Sequence, residues 1–254
     1  QRNKHFESQN IMKYIYLAVV AVMFAACGSN KTGSAVEGTG AEVVLPEGEF
    51  VYNLPCKVVN INTDKPGKAV LFLWLHGGVH DRPKHDIFYH PNHFDCCDAD
   101  EYILQYLKDS GTKAIALFPV CYKADNPNTI KWRECYDDVK HIIDDYANKG
   151  LIDTKRIYLA GSSDGGRGTW DYVEMHPEVF AAAITMSNAN PIMVTVPTYF
   201  FSTADEGDCT EKVKDLQAKG SNILKYKYCA DQPHGGDAIE CTPELLKEFF
   251  SYTK

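Results

Sequence analysis

The stretch Arg156-Ile-Tyr-Leu-Ala-Gly-Ser-Ser-Asp-Gly-Gly-Arg-Gly-Thr-Trp170 constrains the fold more than any other part of the chain. Ile157, Tyr158 and Leu159 read as a short apolar strand after Lys155-Arg156, and the glycines that follow read as a turn. Trp170 and Val173 then lie one helical turn apart before His176-Pro177 ends the segment. At the centre stands Gly161-Ser162-Ser163-Asp164-Gly165, a G-x-S-x-G. In that pattern the serine occupies a sharp, strained turn between strand and helix, and small residues two places to either side let the backbone bend while the hydroxyl stays exposed. Ser163 is therefore the first candidate for chemistry.

The rest of the chain alternates around this unit. Phe50 to Leu54 and Cys56 to Ile61 read as two short antiparallel strands, closed by a turn at Asp64-Lys65-Pro66-Gly67. Val70-Leu-Phe-Leu-Trp-Leu75 is a continuous apolar run, the mark of a strand covered on both faces, and it leads into His76-Gly77-Gly78. Asp98-Ala-Asp-Glu101 has the spacing of a capping box, opening a helix that stops at Ser110-Gly111. Strands are expected at Ile115–Cys121, Ala181–Met186, Thr198–Phe201 and Ile223–Cys229. Tyr136, Val139, Ile142, Ile143 and Tyr146 predict a helix stopped by Gly150, Thr210 to Lys219 another, and Thr242-Pro243 caps a last one. Strands and helices alternating at this length imply an α/β fold, a mostly parallel central sheet with helices on both faces. Chemistry is then expected at the carboxyl ends of the strands.

Ser163, Asp205 and His234 all follow strands in this reading, as does Gly78. A serine hydroxyl needs an imidazole to take its proton, and the imidazole needs a carboxylate to fix its tautomer. Ser163, Asp205, His234 is the chain order of such a triad on an α/β sheet. Asp205 shares its loop with Glu206 and Asp208 and is preferred because it follows the strand at a three-residue remove. Backbone N–H groups of Gly78 and Asp164 are the expected oxyanion donors, with Gly77 as rival to Gly78.

At the amino terminus, Met12-Lys13 precedes an apolar run from Tyr14 to Ala26, the length of a signal-peptide core and short for a membrane span. Phe24-Ala25-Ala26-Cys27 resembles the lipobox of bacterial lipoproteins, which implies lipidation of Cys27. Residues 27–42, rich in Gly, Ser, Thr and Lys, read as a tether, and residues 43–254 as one catalytic domain. The formal charge is -8 and falls to -10 without residues 1–26, which carry Arg2, Lys4 and Lys13 against Glu7. That acidity argues against a nucleic-acid partner. Nine cysteines in an exported chain make disulfides plausible, and a Cys209–Cys241 bridge would pin the catalytic loops. His80, Asp81, His85, Asp86, His90, His93 and Asp95 lack a helical metal-ligand frame and read as a polar loop over the site mouth, with Phe88, Tyr89 and Trp132 as candidate pocket residues or ordinary packing.

Leu75-His-Gly-Gly78, the block Gly161 to Trp170, His176-Pro-Glu-Val-Phe-Ala-Ala182, Asp205 and His234 together resemble the phospholipase/carboxylesterase group of α/β-hydrolases. Secreted feruloyl-esterase-like and polyhydroxybutyrate-depolymerase-like enzymes are similar. The likeness runs from Ala69 to the end. It implies ester hydrolysis through an acyl-enzyme, with no metal or organic cofactor, on a small-molecule or polysaccharide-linked ester, and with membrane contact through the lipid anchor alone. Asp164 departs from the apolar residue such families often carry, and its charge opposes an oxyanion unless it pairs with Arg167. Two other readings share the scaffold. One is a serine peptidase of the prolyl-oligopeptidase type, which usually needs a further large domain that this chain has no room for. The other is a surface binding lipoprotein that has lost activity.

Overall fold

Alternation along the third strand decides the layering. A computed structural model of the chain describes residues 42–43, 54, 56–78, 97–121 and 131–254. Its strands are β1 (Glu42–Val43), β2 (Cys56–Ile61), β3 (Ala69–Leu75), β4 (Ala114–Pro119), β5 (Ile152–Ser162), β6 (Ala182–Met186), β7 (Thr198–Thr203) and β8 (Ile223–Cys229). Among the described residues these form one eight-stranded sheet in the order β1-β2-β4-β3-β5-β6-β7-β8. β2 runs antiparallel to β1 and β4, and every pair from β4-β3 to β7-β8 is parallel. The helices are α1 (Ala99–Asp109), α2 (Tyr136–Asn148), α3 (Asp164–Met175), α4 (Thr210–Ala218) and α5 (Pro243–Phe249), with 3-10 turns η1 (Trp132–Cys135) and η2 (Gly236–Glu240).

Successive side chains on a strand point to opposite faces, so β3 feeds two cores. Leu71, Leu73 and Leu75 pack with Val139 and Ile143 of α2, Trp170 and Val173 of α3, and Val213 of α4. Val70, Phe72 and Trp74 pack with Ile103 and Leu107 of α1 and Leu246 and Phe249 of α5. All seven β3 residues are buried, which is why the run carries no polar residue. The second core also holds the chain's end, where the Tyr158 hydroxyl donates to the carbonyls of Phe250 (2.9 Å) and Tyr252 (2.7 Å).

Several local expectations are corrected. β5 begins at Ile152, five residues earlier than its apolar core suggested, because Ile152 pairs with Ala69 across an irregularity in register. Asp98 precedes α1 without a side-chain cap bond of its own. Between β6 and β7 the chain runs as an irregular segment carrying Pro191 and Pro197, which buries Val194 and Val196. Thr242 does cap α5, accepting from the Leu245 N–H at 3.3 Å. Cys209 and Cys241 are not bridged: the Cys209 thiol lies 3.4 Å from the Ala189 carbonyl. The signal-like run, Cys27, most of the expected tether, the strand expected at Phe50–Leu54 apart from Leu54, and the His/Asp-rich 79–95 segment lie outside the described residues. No helix of the described residues is long and apolar enough to cross a membrane.

Candidate active site

β5 ends at Ser162 and α3 begins at Asp164, so Ser163 alone makes the turn. It sits at φ 58, ψ -120, a conformation that costs a non-glycine residue about 1–3 kcal/mol unless its surroundings hold it there. Those surroundings are tight. A Cβ at Gly165 would overlap the Leu75 carbonyl, and one at Gly161 would overlap the Gly165 carbonyl, so α3 approaches β3 and β5 only because both positions are glycine. The Ser163 N–H is anchored on the Met186 carbonyl at 3.0 Å. Ser162, in contrast, is fully buried.

The imidazole of His234 meets Glu206. Nδ1 lies 2.5 Å from Glu206 Oε1, while the other carboxylate oxygen accepts from the Thr203 N–H (3.0 Å) and hydroxyl (2.5 Å). Asp205, the acid expected from the sequence, is displaced from that position: its Oδ2 accepts the backbone N–H of His234 at 2.7 Å, and its side chain is exposed. The reason is the turn after β7. The N–H groups of Glu206 and Gly207 both donate to the Thr203 carbonyl, with Gly207 at φ 84, and the chain reverses so that residue 206 faces the histidine loop. The Glu206 side chain is 10% exposed and that of His234 36%. Burial raises the Glu206 carboxyl, but the Thr203 and His234 hydrogen bonds outweigh it and hold the group below its ordinary value, hence ionised. With Nδ1–H donated to that carboxylate, the Nε2 lone pair is left to act as a base. Among the described residues no hydrogen bond joins Ser163 Oγ to His234.

The Gly77-Gly78 segment after β3 is set by His76. Its ring is buried, which pushes its pKa down to about 4 against the opposing hydrogen bond to Gly77. Nδ1 lies 2.8 Å from the Gly77 carbonyl, and Nε2 accepts the Cys121 N–H at 3.1 Å, which fixes a neutral Nδ1–H tautomer. In a trans peptide the C=O and N–H point opposite ways, so holding the Gly77 carbonyl turns the Gly78 N–H to the other side. Asp164 is the first residue of α3, and its N–H has no acceptor within the helix. Its carboxylate pairs with Arg167 at 2.8 Å, which answers the charge expected to oppose an oxyanion. Trp132 is buried with its Nε1 donating to the His76 carbonyl at 3.0 Å, so it packs rather than lines a pocket.

The fold recurs in solved structures. A thermostable esterase superposes with a TM-score of 0.64 at 21% identity, over 85% of this chain and 63% of that esterase, so the chain spans less than two thirds of its length. One of two fungal esterases from Rhizomucor miehei gives 0.58 at 11% identity, covering 84% of each chain. FphF, a fluorophosphonate-binding serine hydrolase of Staphylococcus aureus, gives 0.55 at 13% identity, covering 84% of this chain and 99% of that one. The chain has the α/β-hydrolase fold. The model of the prolyl oligopeptidase family matches residues 129–246, the part of the hydrolase fold that carries the serine turn, the Glu206 turn and His234. No curated protein matches the sequence.

One further group ties the hydrolase loops together. Asp237 is fully buried and accepts from the Ser187 N–H and hydroxyl, both at 2.7 Å, and Ser187 Oγ accepts the Gly235 N–H at 2.9 Å. The residue before Ser187 is Met186, the anchor of Ser163, so the serine turn and the histidine loop hang on one dipeptide. Burial raises the Asp237 carboxyl from 3.8 to about 6, against the lowering effect of the Ser187 bonds. A raised folded value means that the protonated form stabilises the fold. That contribution is complete below about pH 4 and is lost as pH rises through about 6, a change of about 3 kcal/mol. Asp237→Asn removes the titration. Urea midpoints should therefore show the variant gaining on the wild type by up to about 3 kcal/mol between about pH 4 and pH 7, and a difference that stays constant across that range refutes the assignment.

Proposed function

We propose that this chain is a serine esterase that hydrolyses carboxylic esters through an acyl-enzyme. The observation that carries the reading is the ionised Glu206 held on His234 Nδ1 at the same sheet rim as a serine locked at φ 58. Ser163 Oγ attacks the ester carbonyl carbon as its proton passes to His234 Nε2, and Glu206 stabilises the imidazolium that forms. The carbonyl oxygen becomes an oxyanion met by the N–H groups of Gly78 and Asp164. Collapse breaks the bond to the alcohol, which leaves with the proton from His234. Water, deprotonated by the same imidazole, then attacks the acyl carbon, and collapse breaks its bond to Ser163 Oγ, which takes the proton back from His234 as the acid leaves. Asp205 holds the backbone of the histidine in register throughout.

The substrates we infer are acyl or feruloyl esters on carbohydrate, met outside the cytoplasm by a protein anchored to a bacterial membrane through lipidated Cys27. The family resemblance and the lipobox-like Phe24-Ala25-Ala26-Cys27 support this; radiolabelled palmitate that enters the wild type and Cys27→Ala equally removes the anchor. The match to the prolyl oligopeptidase family favours a second reading, a serine peptidase. A panel of p-nitrophenyl acyl esters, feruloylated sugars and short peptides separates the two: the esterase reading expects the highest kcat/KM on esters, and faster cleavage of peptides sinks it.

The Asp164–Arg167 pair gives a finer test. Arg167 is 66% exposed, so its screening of Asp164 is worth at most about 1 kcal/mol. Arg167→Ala should lower kcat about fivefold by leaving a carboxylate beside the developing oxyanion, and the Asp164→Ala, Arg167→Ala double variant should recover it. A double variant as slow as the single one would place the effect elsewhere.

A further inference from the structure

We propose that Cys121 and Cys135 form a disulfide that braces the back of the His76-Gly77-Gly78 segment. Their sulfurs lie 2.7 Å apart, well inside the about 3.5–4.0 Å at which non-bonded heavy atoms rest. Both backbones are held. Cys121 follows β4 with its N–H on His76 Nε2, and Cys135 ends η1 and precedes α2. Three other described cysteines point their sulfurs elsewhere. Cys56, Cys97 and Cys209 direct theirs at the Lys57 carbonyl, Met186 Sδ and the Ala189 carbonyl. The pairing differs from the Cys209–Cys241 bridge expected from loop positions. It arises because β4 and the η1–α2 corner converge behind β3, where the Trp132 indole donates to the His76 carbonyl and its own carbonyl accepts the Tyr172 hydroxyl at 2.9 Å.

The chemistry is thiol–disulfide exchange with an external disulfide. Cys135 is partly exposed and Cys121 is buried, so Cys135 enters first. Its thiolate attacks the external disulfide, forming a mixed disulfide and releasing one small thiolate. The Cys121 thiolate then attacks the Cys135 sulfur and releases the second. Two protein thiols are oxidised by two electrons, the external disulfide is reduced to two thiols, and the two thiol protons end on those products. The bond closes a loop across residues 122–134 and restricts the unfolded chain accordingly.

The sequence makes the bond directly readable. Trypsin cleaves after Lys113, Lys123, Arg133 and Lys140, leaving Cys121 alone in peptide 114–123 and Cys135 alone in peptide 134–140. Native full-length protein equilibrated with oxidised glutathione, alkylated and digested without reductant should yield these two peptides linked, about 2 Da lighter than their sum, and reductant should separate them. Both peptides recovered alkylated, or either one linked to a different cysteine, overturns the proposal. As a second measurement, Cys121→Ser and Cys135→Ser should each lower the Tm of the oxidised protein by about 6–12 °C, to the value of the dithiothreitol-treated wild type. Oxidised wild type melting with the reduced form overturns the bracing role.

Discussion

Ser163→Ala is expected to lower turnover on p-nitrophenyl esters by about 10⁶ and to abolish labelling by a fluorophosphonate, because members of a triad act as a unit. Stability should hardly change, since alanine and serine bear the same backbone cost at φ 58, and an unchanged Tm identifies the loss as chemical. The adjacent Ser162 supplies the control. It is fully buried at the end of β5, so Ser162→Ala should keep its label. Label retained by Ser163→Ala and lost from Ser162→Ala would move the nucleophile by one residue and undo the site.

Glu206→Gln should lower kcat by about 10⁴, while Asp205→Asn should cost less than about tenfold. An amide at 206 removes the charge that stabilises the imidazolium, and its NH₂ group facing Nδ1 favours the tautomer that leaves no lone pair toward the serine. At 205 the hydrogen bond is to the His234 backbone N–H, which an asparagine oxygen accepts nearly as well. Steady-state kinetics on the two purified variants decide between the acids. A larger loss at 205 than at 206 would mean that the turn after β7 rearranges when substrate binds.

The residues of that turn show where sequence reading stops. Asp205, Glu206 and Asp208 lie within four positions, and distance from the strand favoured the first. A usable signal was present in Thr203-Ala-Asp-Glu206, the T-x-x-E spacing in which a glutamate returns to the threonine N–H, as Glu206 does here. At Asp98, which opens the same spacing, the side chain makes no cap bond, so the pattern does not dictate its own hydrogen bonds. His76 was legible only as part of a His-Gly-Gly segment; that it is buried, neutral and aims a peptide bond depends on Cys121, 45 residues away. Ser187 and Asp237 carried no sequence signal, being 50 residues apart and joined only because β6 ends beside the histidine loop.

By itself the sequence determined the layered α/β architecture and the serine turn, because apolar periodicity and glycines act on the backbone over a few residues, wherever the rest of the chain lies. Only the tertiary structure decided which acid meets His234, which way the Gly77 carbonyl points and which cysteines touch. Those choices depend on the direction of a side chain as it leaves a turn, and one residue of rotation there exchanges a half-buried carboxylate for an exposed one.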